Sequence, residues 1–208
     1  MGNIKKKILI SRFFFFLFTT LILAQPGAKY RPFDWLLFKE PGRINSLSEG
    51  YEYLYIATSH GGIYRYSLYS NQYDFPITSA QGLQNNNITS VHFDHNTGII
   101  WASSSGSLEY SYTREGDWRQ IKFVELGLNS NDRIKRIGNS ENYVWAQANA
   151  VYIKMDKSSG ILAGIYPMPD ELNIKWSSGP YSMQNEVSDV VNNYTIMSGW
   201  MVSGSQFI

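Results

Sequence analysis

Hydrophobic and polar residues alternate along short stretches in the middle of the chain, as they do in half-buried β-strands. The clearest stretch is 88–93 (ITSVHF), in which every second residue lies on the same side of the predicted strand. Turn residues follow at 94–98 (DHNTG), and further strands are predicted at 99–103, 107–112 and 117–121. The pattern therefore predicts four short strands joined by tight connections.

This four-strand plan occurs three times. In the first copy the predicted strands are 43–47, 53–58, 63–66 and about 72–77, and in the third copy they are 133–137, 143–146, 151–155 and 161–165. Matched markers recur at intervals of 44 or 46 residues, namely Ile44, Ile88 and Ile134 in the first strand and Tyr55, Trp101 and Trp145 in the second. The chain is thus a repeat with a period of about 45 residues.

Four antiparallel strands repeated at this length are typical of β-propeller blades. A single blade cannot bury both faces of its sheet, so blades stack face to face. We therefore predict an all-β fold of about three and a half propeller blades, with a β-sandwich as the alternative. Tyr55, Trp101 and Trp145 are expected to occupy equivalent buried positions between neighbouring blades.

The repeat resembles the two-component-regulator propeller repeat. The second copy carries the resemblance in Gly82-Leu83, Asn86 or Asn87, Asp94, Gly98, Ile100-Trp101 and Gly106, and the first copy carries it in residues 54–58 (LYIAT) and 61–66 (GGIYRY). The match covers 42–166, about three-fifths of the chain. Ala57 and Ser103 replace the family's usual glycine, and the third copy lacks the double glycine. The resemblance implies a propeller fold in an extracytoplasmic setting.

The predicted domain organisation has three parts. Residues 1–24 are a signal peptide or an uncleaved anchor, 25–41 a lead-in, and 42–208 a partial propeller. Its blades are predicted at about 42–80, 86–123 and 133–166, followed by a proline-containing connection with a short strand around 173–176. An incomplete fourth blade is predicted at about 186–208, with strands at 186–191 and 194–198. Since a propeller needs at least four blades, we expect either missing C-terminal blades in a longer protein or self-association.

The N-terminal segment has the parts of a secretory signal. Three lysines at 5–7 precede an apolar run from Phe13 to Ala24, and cleavage is expected before Gln25. This run of 12 residues is shorter than the roughly 20 needed to span a membrane. We therefore predict bacterial export to the periplasm or medium, with cleavage favoured over anchoring.

Composition narrows the range of functions. The leader holds Lys5, Lys6, Lys7 and Arg12, four of the 18 basic residues, and none of the 17 acidic ones, so the rest of the chain has a net charge of −3. An acidic body lacks the basic surface that nucleic acids require. The chain has no cysteine, which excludes disulfides, thiolate zinc sites and a cysteine nucleophile.

No motif in the chain points to catalysis. His92 and His95 are interpreted as surface and turn residues rather than metal ligands, because their side chains would diverge at a strand end. Residues 94–98 are interpreted as a hairpin turn rather than a calcium loop, and 60–62 (HGG) as a turn between strands. The glycosylation sequons at Asn87 and Asn193 are interpreted as incidental.

We therefore expect a non-enzymatic, exported propeller module without a cofactor or metal. Its ligand would be a small molecule, a glycan or a protein, and it would form the sensory part of a longer signalling protein. The alternatives are a structural or adhesive surface protein and, less favoured, an enzyme of propeller fold. Sequence reasoning assigns no ligand-binding residues.

Overall fold

The computed structural model describes residues 39–113 and 116–178, and four short strands between 190 and 207 by their backbone alone. All of these residues belong to one compact unit, 32–208. The predicted signal segment 1–24 and the lead-in up to residue 38 lie outside the described residues. Among the residues described, no helix has the length and apolar character needed to cross a membrane.

The chain folds into four antiparallel sheets, in each of which four strands follow one another in sequence order. The first sheet contains β1 (Ile44–Glu49), β2 (Tyr53–Thr58), β3 (Ile63–Ser67) and β4 (Tyr73–Ile77). The second contains β5 (Ser90–Phe93), β6 (Ile100–Ser104), β7 (Ser107–Thr113) and β8 (Gly116–Lys122). The third contains β9 (Arg136–Asn139), β10 (Tyr143–Gln147), β11 (Tyr152–Asp156) and β12 (Leu162–Tyr166). Strands of different copies therefore stay in separate sheets, and the all-β prediction is confirmed.

Helical structure within the described part is limited to two short 3₁₀ helices, Ser79–Gln81 and Phe123–Leu126, which lie in the connections between sheets. Thr78 caps the first of these, because its hydroxyl accepts a hydrogen bond from the backbone N–H of Ala80. Both helices end at a glycine, Gly82 or Gly127, with positive φ. The connections thus turn sharply and return the chain to the start of the next sheet.

Buried apolar residues fill the space between successive sheets. The cluster between the first and second sheets includes Tyr55, Ile63, Ile88, Phe93 and Ile100. The cluster between the second and third includes Trp101, Leu108, Ile134, Ile137, Val144 and Met155. Neighbouring residues of β6, Ile100 and Trp101, belong to different clusters because side chains of a strand alternate between its faces. The second sheet is therefore covered on both faces.

The aromatic residue of the second strand occupies the same buried position in each copy. Tyr55 is 2% exposed, and Trp101 and Trp145 are fully buried. The Tyr55 ring stacks on Phe93 of the next sheet at 5.6 Å, whereas Trp101 stacks on Tyr110 of its own sheet at 4.7 Å. The predicted equivalence of these three positions is confirmed.

Polar side chains connect the first strands of neighbouring sheets. The hydroxyl of Ser46 lies 3.3 Å from both the amide nitrogen and the carbonyl oxygen of Val91, and the hydroxyl of Ser48 accepts from the amide of Phe93 at 2.8 Å. These serines hydrogen-bond the edge of β5, whose backbone groups would otherwise be buried without partners. The first strands therefore converge along a polar seam.

A segment after the third copy closes this seam. Its strand β13 (Lys175–Trp176) pairs with β9 and makes the third sheet five-stranded. Two residues later, Ser178 exchanges two backbone hydrogen bonds with Leu47 of β1, at 3.0 and 3.1 Å. Residues 170–178, here called the strap, thus join the third sheet to the first. Sequence reasoning interpreted this stretch as part of a connection between blades with a short strand around 173–176, and β13 lies within that range.

The strap also covers one face of the third sheet. The ammonium of Lys154 lies 2.9 Å from carboxylate oxygens of both Asp170 and Glu171, and 4.3 Å from the centre of the Tyr143 ring. The indole N–H of Trp145 donates to Glu171 at 3.3 Å. Burial opposes the charge of Lys154, but hydrogen bonds to Glu171 and Asp170 outweigh it, so the pKa of Lys154 is raised.

The last part of the chain forms the fourth sheet. Its strands are β14 (Val190–Val191), β15 (Tyr194–Met197), β16 (Trp200–Ser203) and β17 (Gln206–Phe207). Sequence reasoning predicted an incomplete fourth unit with only two of these strands identified, whereas four short strands pair in sequence order. Sequence reasoning did not identify the last two strands, Trp200–Ser203 and Gln206–Phe207.

Candidate functional site

A polar cavity of about 570 Å³ opens where the first strands of the three copies begin. Its lining comes from the segment before each first strand and from the turns after two of the second strands. The lining residues are Arg43, Asn45, Ser59, Asn87, Thr89, Ser104, Ser105, Ser130, Asn131, Asp132 and Arg133. All three copies therefore contribute to one cavity.

Equivalent positions of the repeat meet at this cavity. Arg43, Asn87 and Arg133 each precede the isoleucine marker of the first strand by one residue. Within each copy the first and second strands are antiparallel, so the residue before the first strand lies beside the turn after the second. Stacking of the sheets then brings three such ends together.

Hydrogen bonds hold the cavity wall in place. The side-chain amide of Asn45 donates to the carbonyl of Ile88 at 2.7 Å, which links the first copy to the second. The backbone N–H of Arg43 donates to the hydroxyl of Ser59 at 2.9 Å. Because these contacts are made by residues on or beside strands, the wall is formed before any ligand arrives.

A buried carboxylate supports two parts of the wall from behind. Glu109 is 1% exposed and accepts hydrogen bonds from the hydroxyls of Ser104 at 2.7 Å and Ser107 at 3.1 Å. Its other oxygen accepts from the backbone N–H of Gln84 at 2.9 Å. Burial raises the pKa of Glu109. Glu109 thus connects the turn after β6 to the loop that leads into β5.

A second cavity, of about 220 Å³, lies at the opposite end of the first strands. Beside it a buried polar network joins the second and third sheets. The ammonium of Lys157 lies 3.3 Å from both carboxylate oxygens of Asp94, and the side-chain amide of Asn139 donates to Asp94 at 2.9 Å. Nε2 of His92 lies 2.8 Å from the amide oxygen of Asn139. These four residues are all more than nine-tenths buried.

The interpretation of His92 as a surface residue at a turn is wrong, because this residue lies within β5 and is 4% exposed. Its tautomer follows from the network. Asp94 can only accept, so the Asn139 nitrogen faces Asp94, the Asn139 oxygen faces His92, and Nε2 of His92 donates. Nδ1 is buried and has no hydrogen-bond partner among the described residues. Burial lowers the pKa of His92 to about 4.

The other motifs lie where the sequence placed them. Residues 94–98 form the turn between β5 and β6, in which a carboxylate oxygen of Asp94 accepts from the amide of Asn96 at 3.0 Å and the Gly98 N–H donates to the Asp94 carbonyl at 2.7 Å. His60 is exposed in the turn between β2 and β3, and Gly62 has a φ of +82° with no room for a Cβ against the Ile77 carbonyl. Asn193 lies outside the described residues.

In the described part of the chain, no cluster of three or more His, Asp or Glu side chains could hold a metal ion. His95 is exposed, and Nε2 of His92 is hydrogen-bonded to Asn139. His92 and His95 both line the second cavity, His92 from within β5 and His95 from the turn that follows it.

Sequence reasoning missed the cavity residues. It placed Arg43 and Arg133 only as the first residues of predicted strands. A signal was present, because the position before the isoleucine marker is polar in every copy (Arg43, Asn87, Arg133). A repeated polar residue next to a buried apolar one indicates a surface shared by the copies.

The chain was compared with known proteins. No protein-family model matches it, and no curated protein does. Two similar crystal structures show the extracellular domain of a hybrid two-component system from B. thetaiotaomicron and the same domain described as a one-component system. They are 19% and 18% identical to this chain, each with a TM-score of 0.50. Each match covers 62% of this chain and 17% of the other. Over that part, the chain shares the fold of about one-sixth of these extracellular domains.

Proposed function

We propose that this chain is part of an exported β-propeller that binds a ligand in the 570 Å³ cavity without chemically changing it. The observation that carries the proposal is the construction of the cavity from equivalent positions of three copies. Ligand pockets commonly lie where repeated elements present convergent polar groups on a rigid scaffold. Serial stacking of four-stranded sheets with both faces of the second sheet covered supports the propeller architecture.

The lining favours binding over catalysis. It offers guanidinium, amide and hydroxyl groups, but among the described lining residues Asp132 is the one carboxylate and none is a histidine. General acid–base chemistry needs a titratable pair or a histidine within reach of a substrate. Hydrogen bonding to a bound molecule needs neither.

Export and a role in sensing are part of the same proposal. The leader at 1–24 supports export, and the two similar structures are extracellular domains of one- and two-component systems. The chain spans 17% of those domains, so sensing would require further parts of a longer protein. N-terminal sequencing of the exported protein is expected to begin near Gln25.

Blocking the cavity tests the binding function. Ser105 is an exposed lining residue, so Ser105→Trp should fill the opening without disturbing the core. Ser70 is an exposed serine in the turn between β3 and β4, outside the lining, and Ser70→Trp is the matched control. A thermal-shift screen of metabolites and oligosaccharides should find compounds that raise the Tm of the parent and the control but not of Ser105→Trp. If no compound distinguishes Ser105→Trp from the parent, the binding proposal is wrong.

A further inference from the structure

Two arginines at equivalent repeat positions line the cavity, Arg43 from the first copy and Arg133 from the third. Both are exposed. Among the described residues, neither guanidinium forms an ion pair with a carboxylate. One nitrogen of Arg133 lies 3.5 Å from the side-chain oxygen of Asn45, which leaves most of its donors free to face the cavity.

The carboxylate in the lining does not neutralise these arginines. One oxygen of Asp132 accepts from the backbone N–H of Asn129 at 2.8 Å, and the other accepts from the side-chain amide of Asn149 at 3.1 Å. Asp132 is therefore occupied in holding its own loop against the turn after β10. With two guanidinium groups and one carboxylate, the part of the lining that the structure describes has a net positive charge.

The rest of the lining selects against apolar and flat neutral ligands. The remaining lining residues that the structure describes are serine, threonine and asparagine, and none of them is aromatic. A neutral ring would find no surface on which to stack, whereas hydroxyl and amide groups can hydrogen-bond a hydrated, polar molecule. Planar guanidinium groups bind carboxylate and phosphate oxygens through paired hydrogen bonds.

We propose that the cavity binds a small hydroxylated anion that carries a carboxylate or phosphate group, with Arg43 and Arg133 as its charge-recognising residues. This inference rests on the proposed binding function and names the ligand class for the same cavity. The serines, Thr89 and the asparagines of the wall hydrogen-bond the hydroxyl groups. Since the wall is held by Asn45 and, from behind, by Glu109, binding requires little ordering of the protein.

Calorimetric titration of the full chain with three probes tests this inference. Citrate represents the carboxylate source, inorganic phosphate the phosphate source, and glucose the neutral ligand. Binding of citrate or of phosphate, weakened by added salt, supports the proposal and identifies the source. Arg43→Gln and Arg133→Gln should each weaken that binding about tenfold or more, because each substitution removes one charge-assisted hydrogen bond to the anion. The control Lys135→Gln removes the same charge from an exposed residue outside the lining and should change affinity less than threefold.

Several outcomes would overturn the inference. If Lys135→Gln weakens anion binding as much as Arg133→Gln does, the attraction is diffuse and the cavity does not recognise the anion. If glucose or another neutral compound binds and Ser105→Trp blocks it while citrate and phosphate fail to bind, the ligand class is wrong and the binding function stands. If no probe binds and the thermal-shift screen finds nothing blocked by Ser105→Trp, both proposals fall. Circular dichroism of each variant shows whether it is folded.

Discussion

His92 should make the stability of the protein depend on pH in the mildly acidic range. Its pKa in the folded protein is about 4, against 6.5 for an ordinary histidine, because burial disfavours the imidazolium. Between these two values the unfolded chain binds a proton that the folded protein does not. The contribution of His92 to stability is therefore complete above about pH 6.5 and is lost as the pH falls towards 4.

The size of the effect follows from the pKa difference. A difference of roughly 2.5 units corresponds to about 3 kcal/mol of unfolding free energy over the whole range. Between pH 6.5 and 4.5, about 2 to 3 kcal/mol of this should be lost. The loss is comparable to a sizeable fraction of the stability of a typical domain.

His92→Gln isolates this contribution. The glutamine amide nitrogen can take the place of Nε2 and donate to Asn139, but it does not titrate. The unfolding free energy, measured by urea titration, should fall between pH 7.5 and pH 4.5. This fall should be about 2 to 3 kcal/mol smaller in His92→Gln than in the parent. The control His60→Gln replaces an exposed histidine and should fall as much as the parent.

Two results would refute this reasoning. An equal fall in His92→Gln and the parent would mean that His92 is not held neutral by burial. A His92→Ala variant that loses under about 1 kcal/mol, as a surface position would, is also incompatible with the structure. The buried network predicts a loss of about 2 to 4 kcal/mol instead, since the alanine leaves a cavity and an unpaired Asn139 oxygen.

Two further predictions concern the interfaces between sheets. Trp101→Ala should lower the free energy of unfolding by about 3 to 5 kcal/mol because the side chain is fully buried. The control Tyr69→Ala, at a residue 78% exposed, should lower it by under about 1 kcal/mol. Equal shifts of the two urea midpoints would contradict the packing. Asp94→Asn should lower the free energy of unfolding by about 3 kcal/mol, because it leaves the Lys157 ammonium buried without its counter-charge. Adding Lys157→Met to this variant should restore part of the loss. A double variant whose loss equals the sum of the single losses would show that the two side chains do not interact.

The strands of the three copies could be predicted because their signals are local and repeated. Alternation with period two marks each strand, and the matched aromatic residue (Tyr55, Trp101, Trp145) marks an equivalent buried position in each copy. Each of these signals depends on residues within a few positions of one another. Repetition then added the information that a single short strand lacks.

The pairing partners of the strap and of the buried network could not be predicted, because they are distant in sequence. Ser178 pairs with Leu47, and Lys157 with Asp94, and nothing near either residue indicates this. Alternation gives the side of a strand on which His92 lies but not what lies opposite. A polar residue at such a position resembles a solvent-facing one until the neighbouring sheet is known. The cavity was missed for the same reason, since it exists only where three copies meet.

The strap also has a consequence for how the protein folds. A linear stack of repeats makes contacts only between neighbours, so it can fray from either end and fold in stages. The strap joins the first sheet to the third across about 130 residues of chain, and this closure raises the contact order. Because closing so long a loop costs chain entropy, we expect closure to be a late and slow step of folding. Once it has formed, none of the three sheets can open without breaking a link to another, and they should unfold in a single cooperative transition.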